Sequence, residues 1–513
     1  MGCFPFLKKL NDTESNYTRQ SIKISSKLFV TESSGNIYKD YEILECIGQG
    51  SYGKVYRAKH IKTGAMRAIK KIYKNSLAIT QEEEQSLIKE ISMLKELDHP
   101  NILKVFEFYN TRNNLFIVSE YLTGGELFKK IIEEKHFSEK VAAHVMRQLF
   151  SAVQFCHVNN IIHRDLKPEN IIIESYEPNR LEFFTIRVID FGTSEYKKKT
   201  MLKEKTGSSY YIAPEVLNNN YNEKCDVWSC GVILYILLCG YSPFNGRTEE
   251  SILKKVKIGK FSMSDSIWQE VSNEAKDLIQ KLLNKNIEKR LSAAEALNHE
   301  WFKKVETLDK RVSQGRLENV FNNLKNFHTE QKMQQAVLSF LVHNFIQKEE
   351  VIELRRVFLS LDQNGDGRLA KSELQDGLKL LLESKQTNSE TETLMKNIDL
   401  NSSGFIEYEE FITASLDKKT LLTEENLRYA FNAFDKNSDG KISYLELKSI
   451  LGKAPRPDNQ EIDDNLFKDM ISKIDLNGDG EISYDEFKVM MYSLLKVSEE
   501  KDGDTSVEES KIK

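Results

Sequence analysis

His163-Arg164-Asp165-Leu166-Lys167-Pro168-Glu169-Asn170 is the stretch on which the reading of this chain turns. It is a highly specific block, and others flank it in a fixed order. Upstream stands Gly48-Gln49-Gly50-Ser51-Tyr52-Gly53, which Val55 extends to a Gly-x-Gly-x-x-Gly-x-Val pattern. Arg67-Ala68-Ile69-Lys70 and then Glu90 follow it. Downstream come Asp190-Phe191-Gly192 and Ala213-Pro214-Glu215. The glycine pattern alone is weak, because dinucleotide-binding turns use similar glycines. Here it lies between two strand-like segments rather than at a strand-to-helix turn. That placement favours a loop closing over phosphates without side-chain clash.

Beyond these blocks lie four acidic loops of one design. They run Asp362 to Glu373, Asp399 to Glu410, Asp435 to Glu446 and Asp475 to Glu486, an internal repeat of helix–loop–helix units. A calcium ion takes six to eight oxygens in a flexible loop, with a sharp turn at position six and a bidentate glutamate at position twelve. Positions one, three and five are Asp362/Asn364/Asp366, Asp399/Asn401/Ser403, Asp435/Asn437/Asp439 and Asp475/Asn477/Asp479. Gly367, Gly404, Gly440 and Gly480 supply the turn. Arg368, Phe405, Lys441 and Glu481 hold the seventh position, which contributes a backbone carbonyl. Glu373, Glu410, Glu446 and Glu486 close the loops. The second loop is the weakest, with Ser403 where the others have aspartate; Glu407 at its ninth position partly offsets the lost charge. Leu369, Ile406, Ile442 and Ile482 can pair loops across short β-bridges.

Composition sets the frame. The 513 residues exceed what one core accommodates, so two or three domains are expected. The chain is 40% hydrophobic and 29% charged, as soluble globular proteins are, and its net charge of −5 carries no nucleic-acid signature. Six cysteines without Cys-x-x-Cys spacing fit a reducing compartment. No apolar run is long enough to span a bilayer. Residues 1–38 are polar and read as disordered. Alternating strand patterns begin at Tyr41 and give way to helical spacing from Glu82, ending near Phe302. Residues 303–345 read as an amphipathic connector, with Leu317, Val320, Phe321 and Leu324 on one face and Val337, Phe340 and Leu341 continuing it. Residues 346–496 hold the calcium loops, and 497–513 form a charged tail expected to be disordered.

Taken together, residues 41–302 resemble a eukaryotic serine/threonine protein kinase. The whole chain resembles the calcium-dependent protein kinases of plants and protists over nearly all its length. The resemblance implies an α+β chain: a bilobal protein kinase fold, an autoinhibitory junction helix, and an all-α, calmodulin-like domain with four EF-hands. It implies a monomer using ATP, Mg2+ and Ca2+. Phosphoryl transfer needs positioning and charge neutralisation, and each need has a residue. Lys70 would hold the α- and β-phosphates, paired to Glu90. Asp165 would accept the substrate's hydroxyl proton, Lys167 would neutralise the moving phosphoryl group, and Asn170 and Asp190 would hold magnesium. Gly48, Gly50, Ser51, Gly53, Val55, Ser119, Glu120, Leu122 and Glu126 would line the nucleotide site. Glu215 would pair with Arg290.

Local departures from the family pattern also speak. Ser119 falls at the gatekeeper position, where a small side chain leaves a pocket behind the adenine. Glu204 stands where related kinases often carry a phosphothreonine, and could pair with Arg164 without modification. Ser208 replaces a usual threonine but keeps the hydroxyl. Glu126 and Glu169 match positions that receive basic substrate residues, suggesting Arg-x-x-Ser/Thr targets. At the N-terminus, Gly2 and Cys3 would permit myristoylation and palmitoylation, and Lys8 and Lys9 would add attraction to anionic lipid. Phe6 departs from the usual Ser/Thr, so an unmodified N-terminus is the alternative. The expected location is cytoplasmic and partly membrane-associated. The rival reading, a catalytically inactive calcium-sensing scaffold, is opposed by the presence of Lys70, Asp165, Asn170 and Asp190.

Overall fold

The structure is a computed structural model. It describes residues 23–503 apart from 34, 51–52, 75–80, 176–183, 198–200, 205, 306–313, 328, 330, 346–347, 380–386 and 453–462. The N-terminal lobe is a six-stranded sheet. Its strands are β1 (Thr31–Ser33), β2 (Tyr41–Gly50), β3 (Gly53–His60), β4 (Met66–Tyr73), β5 (Val105–Asn110) and β6 (Asn114–Glu120). They lie in the order β1-β5-β6-β4-β3-β2, antiparallel except that β1 runs parallel to β5. The helix α1 (Gln81–Glu96) accompanies the sheet.

The second lobe is helical, and α2 (Leu127–Glu134), α3 (Glu139–Val158) and α4 (Lys224–Cys239) organise it. Ser138 caps α3 by accepting the Val141 N–H. Every described side chain of α4 after Lys224 is buried, so its apolar sequence reads as a core helix. Its Cys225, Cys230 and Cys239 are buried free thiols. Trp228 and Phe244 stack at the centre of this lobe.

The calcium-loop region is a second body with its own core. Loops one and two pair through an isolated bridge between Leu369 and Ile406. Loops three and four pair through Lys441–Ile442 and Ile482–Ser483. All four eighth-position residues are fully buried.

Three boundaries differ from the sequence reading. Residues 23–38 are not a disordered lead-in. Ile24, Leu28 and Phe29 bury themselves in the core of the calcium-loop region, Val30 enters the kinase core, and β1 adds an edge strand. A polar average hid five apolar residues, Ile37 included, with three apolar clusters to enter. The junction is not one helix either. Helices Gln314–Asn326 and Lys332–Phe345 are separate, with Phe327 buried at the break, and both pack into the calcium-loop core. At the far end, helix Tyr484–Gly503 extends beyond 496 into the stretch read as tail.

The two bodies meet along Arg67, Asp98, Lys104 and Phe106 of the kinase. Lys104 Nζ lies 2.5 Å from Glu409, whose backbone N–H donates to Asp98. His343 stands edge-on to Phe106, and Arg67 donates to the Asn344 carbonyl. Among the described residues, no helix is long and apolar enough to cross a membrane. Gly2, Cys3, Phe6, Lys8 and Lys9 lie outside the described residues, as do Ser51 and the segment Lys310 to Ser313.

Candidate active site and calcium loops

Strand register sets the nucleotide side of the site. Gly48 pairs with Val55, Gly50 with Gly53, and Val55 in turn with Lys70 on β4. Gly53 has no room for a side chain, because a Cβ would come within 1.9 Å of the Lys71 carbonyl oxygen. Lys70 Nζ stands 3.3 Å from Glu90 on α1 and 3.7 Å from Asp190. Burial pulls the Lys70 ammonium down, but the carboxylates of Glu90 and Asp190 outweigh it and hold the group charged. Burial pushes the Glu90 carboxyl up, opposed by Lys70; the contact geometry is that of an ion pair. Ser119 is buried on β6 opposite Ala68, and its hydroxyl donates to the Ala68 carbonyl.

The loop around Asp165 is held from below. Asp226 on α4 accepts the backbone N–H groups of His163 and Arg164 at 2.9 and 2.8 Å. Burial opposes the Asp226 charge, but His157 and these N–H groups outweigh it and keep the carboxyl low. The sequence reading missed Asp226. Its signal was a carboxylate within the apolar run Cys225-Asp226-Val227-Trp228, where an unpaired charge would be prohibitive.

Held this way, Asp165 gathers its neighbours. Its Oδ2 accepts from Lys167 Nζ at 2.6 Å and from Asn170 Nδ2 at 3.2 Å. Its Oδ1 accepts from the Ser208 N–H and hydroxyl at 3.0 and 2.8 Å. Arg164 and Asp190 take left-handed backbone angles, φ 71° and 64°, strain of the kind that collects at working sites. Arg164 Nη1 reaches Glu204 at 3.1 Å, and Arg290 grips Glu215 through both terminal guanidinium nitrogens. Leu122 is half-buried, and Glu126 contacts Lys129 at 3.1 Å at the start of α2. The arrangement puts a carboxylate, a lysine and two potential magnesium holders, Asn170 and Asp190, around one cleft. That set suits a metal-bound phosphate chain whose charge must be neutralised.

The calcium loops close in a common way. Glu373 accepts the N–H groups of Gln363, Asn364 and Ala370, and Asp362 accepts those of Asp366 and Gly367. Glu410, Glu446 and Glu486 accept the corresponding N–H groups in their own loops. Asp399 takes the N–H groups of Ser403 and Gly404, and Asp435 those of Asp439 and Gly440. Loop two differs, since the Ser403 hydroxyl donates to the Phe405 carbonyl at 3.0 Å. In loop one, burial pushes the Asp362 carboxyl up to about 7; the Gly367 N–H opposes this, while Asp366 and Glu373 add to it.

The third and fifth positions, Asn401, Asn437 and Asp439 among them, also organise the loops themselves. Asn401 Oδ1 accepts the Ser403 N–H at 2.8 Å, and Asn437 Oδ1 accepts the Asp439 N–H at 2.9 Å. Asn437 Nδ2 donates to Asp439 Oδ2 at 2.7 Å, and Asp439 Oδ1 accepts the Lys441 N–H at 3.0 Å. Asn364, Asn477 and Asp479 serve their own loops in the same manner. The physical reason is local: a tight turn leaves its N–H groups without backbone partners, and the nearest amide or carboxylate oxygen takes them. The donors available in each loop are nevertheless all oxygen, each with a second lone pair, and they fit a hard divalent cation.

The two bodies define a protein kinase that carries its own calcium-binding hands. The family model for the protein kinase domain matches residues 41–302, and that for the EF-hand domain pair matches 352–416 and 424–492. Calcium-dependent protein kinase 4 of Plasmodium berghei is 40% identical over 480 residues, covering 88% of this chain and 90% of the relative. The protein of that name from Plasmodium falciparum matches equally. Calcium-dependent protein kinase 5 of Plasmodium falciparum is 40% identical over 432 residues, 84% of this chain and 74% of its own length. The chain belongs to the calcium-dependent protein kinase family. It is a serine/threonine protein kinase that uses ATP with Mg2+ and binds Ca2+ at its EF-hands.

Proposed function

We propose that calcium relieves an autoinhibition exerted by the junction, residues 303–345, and that the arrangement described here is the released one. One observation carries this reading. Both junction helices bury their apolar faces in the calcium-loop body, while Lys70, Glu90 and Asp190 stand paired in the cleft. Helix-in-groove capture is how calcium-opened EF-hands take an amphipathic partner. Without calcium the junction is free to block the kinase.

In this reading Asp165 takes the hydroxyl proton, Lys167 steadies the transferring group, and Lys70 holds the phosphates against Glu90. Asn170 and Asp190 hold magnesium, which bridges and neutralises the phosphate oxygens when bound. Glu126 and Glu169 select a basic residue three positions before the target Ser/Thr. Gly2 and Cys3 carry acyl chains that hold the protein at membranes, two chains being enough for stable anchoring. Incorporation of alkyne-tagged myristate and palmitate, lost in Gly2→Ala and Cys3→Ser, tests that part.

The central test is phosphate transfer from Mg-ATP to an Arg-x-x-Ser peptide, with free calcium against chelator and Asp165→Asn as the blank. The expected result is transfer with calcium alone, and calcium-independent transfer when residues 303–513 are removed. A truncated kinase that stays silent would refute autoinhibition by this region.

A further inference from the structure

Arg355 belongs to the calcium-loop body, yet its guanidinium is buried against the kinase, between Glu174 and Tyr408. It lies on helix Lys348–Leu361, just ahead of the first calcium loop. Nη1 and Nη2 donate to the two carboxylate oxygens of Glu174 at 2.5 and 3.4 Å, and Nε donates to the Tyr408 hydroxyl at 3.3 Å. Arg355 is 4% exposed and Glu174 6%. A two-pronged guanidinium–carboxylate contact this deep fixes both partners in position.

Glu174 is well placed to pass that on. It sits on strand Ile171–Ser175, which begins directly after Asn170. Arg187 Nη1 also reaches Glu174, at 3.2 Å. Arg187 lies on the partner strand Thr185–Val188, which leads into Asp190, and pairs with Ile172 in the ladder. Its Nε donates to Glu120 at 2.9 Å, and the same Glu120 oxygen accepts the Lys104 N–H. Glu120 ends β6, where the chain turns past the adenine side of the cleft. Within the kinase, Glu120 and Glu174 share Arg187. Arg355 brings a second cation, and the four side chains then balance in charge. Three margins of the nucleotide site thus meet in one buried cluster: the strand leaving Asn170, the strand entering Asp190, and the end of β6.

We infer that Arg355 is a positioning residue for the nucleotide: docking of the calcium-loop body clamps its guanidinium onto Glu174, on the strand that leaves Asn170 and beside the strand that leads to Asp190, so that calcium tightens the binding of Mg-ATP. The inference rests on the docked arrangement being the calcium-released one. Because such a coupling is reciprocal, nucleotide must also tighten calcium by the same factor.

The experiment measures the dissociation constant of a non-hydrolysable ATP analogue with Mg2+, on the full chain, in calcium and in chelator. The wild-type chain should bind the analogue about fivefold or more tightly in calcium. Arg355→Met should erase that ratio, and should raise KM for ATP at saturating calcium with kcat within about twofold. Arg355→Lys keeps the charge but loses the fork, and should give an intermediate ratio; it carries the test if the methionine variant does not fold. Glu174→Gln added to Arg355→Met should produce no further loss. A ratio left intact by Arg355→Met, or a fall in kcat at constant KM, overturns the role of Arg355. Absence of calcium stimulation in the wild-type chain would instead sink the autoinhibition reading, which separates the two failures.

Discussion

The first and fourth calcium loops carry the same acidic pattern in different surroundings. Loop one has Asp362, Asn364, Asp366 and Glu373; loop four has Asp475, Asn477, Asp479 and Glu486. In loop four, Cβ atoms built on Gly478 and Gly480 would meet nothing within 4 Å. In loop one, the same construction on Gly365 touches Leu297 of the kinase. On Gly367 it comes within 2.1 Å of the His99 ring. His99 cannot step aside, since it is buried, contacts Ser151 and accepts the Asn101 N–H. Loop one is therefore walled by the kinase, and loop four opens to solvent. The same ligand set can sense the ion alone or in company with a partner surface. Only a loop in the second situation makes ion binding and docking one coupled event.

The strongest way to break this comparison is to disable each loop in turn. Glu373→Gln should raise the half-activating calcium concentration on the order of a hundredfold, equivalent to ~3 kcal/mol for a lost charged ligand. Glu486→Gln should shift it far less and keep the maximal rate. Equal behaviour in a calcium titration of kinase activity would erase the distinction. A finer test uses the turn glycines. Gly367 and Gly480 have nearly the same backbone angle, φ 78° and 83°, so alanine costs the same local strain at both. Any excess at Gly367 measures the contact with His99. Gly367→Ala should raise the calcium midpoint about tenfold beyond Gly480→Ala, as one or two kcal/mol of overpacking would.

The smallest effect should come from the other side of the same interface. Burial pulls the His343 imidazole down, Lys104 and Arg67 add to this, and Glu409 opposes it. A histidine lowered in the docked state is neutral there, so docking loses stability as pH falls below the ordinary value near 6.5. The calcium midpoint should rise severalfold between pH 7 and pH 5.5. His343→Gln, which does not titrate, should reduce that slope to the part that Asp362 supplies; an unchanged slope would place the whole pH dependence elsewhere.

Much of the site was legible because its chemistry is local in sequence. Asp165, Lys167 and Asn170 sit in one loop, and each calcium loop spaces its own ligands. Strand and helix periodicity likewise exposed the two lobes. What stayed hidden depends on residues far apart. Nothing near Arg355 or Glu174 says that they meet across 181 positions. Nor does Gly367, identical in role to Gly480, announce that it faces His99. Spacing also could not say which way each loop oxygen turns, as Asn437 and Asp439 illustrate by serving N–H groups of their own loop. The segment Ile24 to Ser33 was hidden for another reason. Its apolar residues are few, and its strand spans three residues that gain order only against the edge of β5.

The contact between Glu204 and Arg164 has a consequence in time. A phosphate ester at that place could be cut away by a phosphatase, whereas a carboxylate encoded in the chain cannot. The Glu204–Arg164 contact is written once, at translation, and no phosphatase erases it. A contact of that kind stores no record of earlier calcium pulses.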